Sequence, residues 1–390
     1  MISNKLQRIP PYVLAKVTAE TKAARARGED IIDFGMGNPD NPTPQHIVDK
    51  LMEAAGKGPN HRYSVSRGVY KLRLAVCDWY RRRFGVALDP DREAIATIGA
   101  KEGLSHLMLA LLNPGDTVIV PTPCYPIHAY SVVLAEGNVT TIPLTEPREL
   151  VRRIHAVCRN AWPKPKAIVL SFPHNPTGAT VSYDFFRDVV ELAREENLLV
   201  IHDHAYAELC FEDYRSPSLL QVPGAKELGV EFYSLSKTYN MPGWRVGFMV
   251  GNPETVALLA QIKSYLDYGM FTPIQIAAIA ALNGPQECVR SIVETYRARR
   301  DVLVDGLDRL GWPVARPRGT MFVWARIPPP FAGLSAVDFA MKVLREAKVA
   351  VSPGSGFGED GEGCVRFALI ENEERTRQAL RGLKRMFACA

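Results

Sequence analysis

Between residues 95 and 251 the chain repeats one pattern: a short apolar run, a turn, then a segment with helical spacing. Runs at 95–98, 117–120, 139–143, 166–172, 198–201 and 230–235 have strand length, and segments such as 149–160 and 183–196 place apolar residues at helical period. Strands alternating with helices predict an α/β fold, a three-layer and mostly parallel sheet with helices on both faces. In open sheets of this kind ligands sit beyond the C-terminal ends of the strands. Those ends carry Tyr125, Asn175, Asp203, Tyr206 and Lys237.

The pattern is different on either side. Residues 1–30 read as an arm, broken by Pro10-Pro11, and a helix that Gly28 can end. After Gly251 come helices at 257–265, 273–282 and 286–310, then strands at 320–327, 349–352 and 364–369 with helices at 335–347 and 373–387. This predicts a large domain over 31–285 and a smaller α+β domain over 286–390, which the helix in 1–30 joins.

Composition removes several classes of function. The 47 basic and 42 acidic residues are mixed along the chain, for a net charge of +5, too balanced to argue for nucleic acid. The seven cysteines form no C-x-x-C pair, so neither a zinc site nor a disulfide framework is expected, and a reducing compartment is the default. No apolar stretch is long enough to span a membrane, and the first residues lack a signal-peptide core. The expectation is a soluble, cytoplasmic protein that holds no metal.

The chemistry concentrates in residues 233–247. A strand-like run delivers Ser234, Ser236 and Lys237 into a polar loop, and Arg245 follows on the next apolar run. Two hydroxyls and a guanidinium beside one lysine make an anion cradle, because arginine presents a planar fork suited to phosphate. A lysine there can lose its proton and attack a carbonyl. Phosphate together with an imine-forming lysine suggests pyridoxal phosphate, although a surface lysine in a turn has the same local sequence. Gly99-Ala100-Lys101 offers a second anion site, where a strand, a glycine turn and a helix N-terminus meet. Arg366 lies inside an apolar strand and needs an anionic partner. Glu362 and Glu371 fall outside that strand, which leaves a ligand carboxylate or a tertiary salt bridge.

Taken in order, His174-Asn-Pro-Thr-Gly178, Asp203-x-x-Tyr206, Ser234-x-Ser-Lys237, Arg245 and Arg366 resemble the fold-type I pyridoxal-phosphate aminotransferases of classes I and II, over essentially the whole chain. More narrowly, residues 31–40, 202–206 and 267–273 look like those of the bacterial alanine-synthesising (glutamate–pyruvate) transaminases, kin to the LL-diaminopimelate aminotransferases. The resemblance implies transfer of an amino group between L-alanine and 2-oxoglutarate by a ping-pong aldimine/ketimine mechanism. Lys237 would bind the cofactor and shuttle the proton. Asp203 would pair with the ring nitrogen, Tyr206 and Asn175 with the ring's phenolic oxygen, and Tyr125 would stack on the ring. Phosphate would rest on the Ala100 and Lys101 amides, Ser234, Ser236 and Arg245. Tyr63 would complete the cradle from the other subunit, so the resemblance implies a homodimer with shared active sites. Arg366, with Asn175 and the Gly37 backbone, would clamp the substrate carboxylate, and Tyr12 would close over it. LL-diaminopimelate, aromatic or methionine donors and a β-lyase reaction are the alternatives. The diaminopimelate enzymes carry an asparagine in the segment matching 269–273. Here none occurs, which leaves Met270 and Phe271 as an apolar wall. Lys101 is the one basic candidate for a distal carboxylate. His202 and His204, which flank Asp203 and could tune it, read better as structural histidines, and His174 reads either as a substrate contact or as a loop residue.

Overall fold

The computed structural model describes residues 2–11 and 14–388. Twelve strands are formed: β1 (Ile32–Asp33), β2 (Ala94–Thr97), β3 (Thr117–Thr122), β4 (Asn138–Pro143), β5 (Pro165–Ser171), β6 (Leu199–Asp203), β7 (Gly229–Ser234), β8 (Gly247–Gly251), β9 (Phe322–Arg326), β10 (Val349–Ala350), β11 (Ser352–Pro353) and β12 (Cys364–Ala368). Seven of them form one sheet in the order β2-β8-β7-β6-β5-β3-β4. The run from β4 to β7 is parallel, and β8 runs antiparallel to both of its neighbours. The fold is therefore α/β with a mostly parallel central sheet, as the alternation predicts.

Covering both faces explains why its strands read as continuous apolar runs. Ile119, Ile168, Leu170 and Val200 pack on one side with the helices Pro147–Asn160 and Tyr183–Glu196. Val118, Val120, Ala167, Val169 and Ile201 point the other way, toward Ala100–Leu111, Pro126–Leu134 and Pro253–Leu266. Strand β4, at the edge, is largely solvent-exposed, and its polar Asn138-Val-Thr-Thr fits that place.

The C-terminal region builds a second, antiparallel sheet in the order β11-β12-β9 over its own apolar core. The helix Glu287–Arg309 runs along it. The expected boundary at residue 31 does not coincide with a break in pairing. Ile32 and Asp33 pair in parallel with Val349 and Ala350, so β1 belongs by its hydrogen bonds to the C-terminal region. A two-residue strand carries too little pattern to reveal its partner. No helix among the described residues is long and apolar enough to cross a membrane.

Candidate active site

The C-terminal ends of β5, β6 and β7, the start of the helix Ala100–Leu111 and the second sheet enclose a cavity of about 650 Å3. Gly37, Ala100, Lys101, Tyr125, Asn175, Asp203, Tyr206, Ser234, Ser236, Lys237, Arg245 and Arg366 all line it. A larger open cleft, of about 850 Å3, lies around Glu93, Lys226 and Asn252 and contains none of these residues.

Lys237 does not sit in an open loop. It stands in a single helical turn, Leu235–Thr238, which Ser234 caps by accepting from the Ser236 amide at 3.2 Å. Its Nζ donates to the Gly37 carbonyl at 2.7 Å. Burial, helped by the charges of Arg366 and Arg245, pushes its ammonium down to about 7. A lysine that is half neutral near pH 7 is a competent nucleophile toward a carbonyl.

Arg245 precedes β8 with a left-handed backbone (φ 57°). Its guanidinium lies against Gly99, where an added Cβ would stand 2.3 Å from Nη2. Gly99 itself has φ +77° and precedes the first turn of the helix Ala100–Leu111, whose leading amides have no acceptor within the helix. Glycine is needed here on both counts, because any side chain would clash with the guanidinium and strain the backbone. The two anion sites expected from the sequence are thus one site, floored by amides and walled by an arginine.

Asp203 ends β6, facing the cavity. His128, buried on the helix that follows Tyr125, donates from Nε2 to Asp203 Oδ2 at 2.9 Å. This histidine escaped the sequence reading. The only local hint is its i+3 spacing from Tyr125 on a helix opened by Pro126. Across the cavity, Arg366 Nη1 donates to Asn175 Oδ1 at 2.8 Å, and Nη2 donates to the Gly35 carbonyl at 3.1 Å. Burial raises the Tyr206 hydroxyl well above the usual phenol range, with Arg366 working against the shift.

Other expected residues lie elsewhere. Tyr63 is 86% exposed and packs at a tilt against Tyr268, 4.9 Å between ring centroids, outside this cavity. Tyr12 lies outside the described residues. Met270 is buried in the core beside the helix Thr272–Asn283 and Phe271 is exposed, and neither lines this cavity. His202 and His204 face away from the cavity, and His174 bonds Thr177 Oγ1 at 2.8 Å.

The model of the aminotransferase class I and II family matches residues 29–383. The chain belongs to that family. It is 56% identical to the glutamate-pyruvate aminotransferase AlaC of Escherichia coli strain K12, covering 98% of this chain and 93% of that one. It is 43% identical to an LL-diaminopimelate aminotransferase of Moorella thermoacetica, covering 98% of each. Among solved structures, aspartate aminotransferase from Thermus thermophilus with maleate superposes with a TM-score of 0.89 at 31% identity, covering 99% of both chains. This aminotransferase therefore shares its fold, over nearly the whole of the given sequence, with proteins named as aminotransferases.

Proposed function

We propose that this aminotransferase uses pyridoxal phosphate to move an amino group between L-alanine and 2-oxoglutarate. The observation that carries the reading is the junction of a half-buried, low-pKa lysine with an arginine-walled amide floor and a carboxylate in one cavity. The residues fit the cofactor: a Cβ at Gly99 would fill the anion cradle, and Asp203 stands on the same cavity wall. Bound there, pyridoxal phosphate supplies an aldehyde that condenses with amines and a ring that withdraws electrons from the substrate α-carbon.

This chain's residues would do the rest. Ala100, Lys101, Ser234, Ser236 and Arg245 hold the phosphate. Asp203, oriented by His128, keeps a proton on the ring nitrogen. Asn175 and Tyr206 hydrogen-bond the ring oxygen, and Tyr125 covers the ring. Lys237 anchors the cofactor and, once displaced by substrate, carries the proton to and from the substrate α-carbon. Arg366 and Asn175 bind the α-carboxylate, and Lys101, exposed at the rim, takes the distal carboxylate of glutamate.

The same reading makes the active unit a homodimer, with Tyr63 serving the neighbouring cavity. Tyr63, Val65, Tyr265, Tyr268 and Phe271 are all exposed, an apolar patch suited to a second copy. Size measurement in solution tests this, and a monomer that retains full activity refutes it. The divisions at residues 31 and 286 are proposed as the joints of a large and a small domain, which the pairing of β1 with β10 ties together. A cytoplasmic location completes the reading.

LL-diaminopimelate as donor is the second reading, favoured by the Moorella relative. The higher identity to the E. coli enzyme and the asparagine-free segment 269–273 tell against it. The visible spectrum of the loaded protein separates the two. Bleaching by alanine and by glutamate is expected. Bleaching by LL-diaminopimelate alone would overturn the alanine assignment, and no visible band after added cofactor would overturn the whole reading.

A further inference from the structure

Two aromatic rings lie close to the Arg366 guanidinium, besides its hydrogen-bond partners. The ring of Phe322 lies 4.1 Å from Cζ and the ring of Phe357 lies 4.6 Å from it. In the guanidinium plane the donors reach Asn175 Oδ1, the Gly35 carbonyl and Ser352 Oγ, the last at 3.3 Å. We infer that Phe322 and Phe357 are positioning residues that clamp the Arg366 guanidinium face-on and so orient its fork toward the substrate carboxylate. This deepens the proposed function and rests on its assignment of Arg366.

The physical case has two parts. A bidentate carboxylate contact needs the guanidinium plane fixed, and two apposed rings block rotation of that plane. An aromatic face also stabilises a cation through its quadrupole without cancelling the charge. A buried carboxylate in the same place would stabilise the arginine and reduce its pull on an incoming anion. Rings keep water off both faces and leave polar access along the edge.

The two rings have different further neighbours. Phe322 also meets the edge of Tyr206, at 5.5 Å between centroids, and approaches Gly37 so closely that a Cβ there would stand 2.8 Å from the ring. Phe357 belongs instead to the turn after β11, and its carbonyl accepts the Cys124 amide at 2.7 Å, just before Tyr125. Loss of the Phe357 ring leaves that backbone bond in place and should therefore touch substrate binding alone. A loss at Phe322 should reach the cofactor side as well.

The test compares Phe357→Leu, Phe357→Tyr, Phe322→Leu and Arg366→Lys in the loaded enzyme. Besides steady-state kinetics, it reads the dissociation constant of 2-oxoglutarate for the aldehyde form, which that acid cannot turn over. Phe357→Leu is expected to raise both KM values and that dissociation constant by roughly 3- to 30-fold, with kcat and cofactor retention nearly unchanged. Phe357→Tyr should restore wild-type binding, because it keeps the aromatic face. Phe322→Leu should show the same binding loss together with a shifted pH dependence of the visible band. Wild-type binding in both Leu variants beside an impaired Arg366→Lys would overturn the clamp while sparing the function. Wild-type binding in Arg366→Lys would remove the carboxylate assignment and the clamp with it. If Phe322→Leu fails to fold, the Phe357 pair still decides.

Discussion

Strands β6 and β7 carry two buried carboxylates on opposite faces of one sheet, and the two are satisfied in different ways. Glu231 faces away from the cavity and is fully enclosed. Tyr80 and Ser218 hydroxyls donate to its Oε1 at 2.8 Å each, and the Leu219 amide and His202 Nδ1 donate to its Oε2 at 2.9 and 2.7 Å. His204 stands 3.2 Å away. Asp203 faces the cavity, receives His128 and a longer bond from the Ala205 amide, and keeps a side turned to open space. Burial works against the ionised form of Glu231, yet its charged and hydrogen-bonding neighbours hold the carboxyl well below the usual range. An acid surrounded by donors is a rivet. One with an unfilled side is available to a ligand.

The sharpest way to break this contrast is at the cavity's nucleophile. Lys237→Ala should abolish transamination between alanine and 2-oxoglutarate and remove the covalent cofactor band, while the circular dichroism spectrum stays native. Asp203→Asn should cost about 100-fold or more in kcat with little change in melting temperature, because it alters the charge offered to the ring and leaves the side chain's volume in place. Glu231→Gln should do the reverse. It should destabilise the protein by on the order of 3 kcal/mol, measured by denaturant unfolding, and leave kcat per folded molecule within about threefold. If Glu231→Gln lowered kcat as far as Asp203→Asn, the two carboxylates would not be separable. The smallest effect concerns pH. With Lys237 lowered to about 7, capture of added pyridoxal phosphate by the cofactor-free protein should rise with pH and level off above about 7. An unshifted lysine would keep rising toward 10. The unfolded chain binds this proton more tightly, so the group's contribution to stability increases with pH between about 7 and 10.5.

The same contrast shows what could be read in advance. Asp203, Asn175, Tyr206 and Lys237 were legible because strand periodicity locates strand ends, and ends of parallel strands share an edge. Alternation along the chain likewise turns His202 and His204 from Asp203, toward Glu231. Three features carried no such signal. Periodicity does not encode direction, so the antiparallel β8 was invisible. His128 and Asp203 are 75 positions apart and meet only through packing. Phe322 and Phe357 read as ordinary core residues, because nothing in a sequence says that the thing an aromatic ring covers is a guanidinium. The meeting of Gly99 with Arg245, which the family resemblance implies, comes about because β8 returns beside β2.

Lys237 and Arg245 share the one connection between β7 and β8, whereas Arg366 arrives from the second sheet. On the proposed assignment, this gives a protein engineer two nearly independent dials. Exchanging the stretch from β9 to β12 between relatives should retune which acids are accepted without loosening the grip on the cofactor. The ring of Phe322, touching both Arg366 and Tyr206, is the place where turning one dial would move the other.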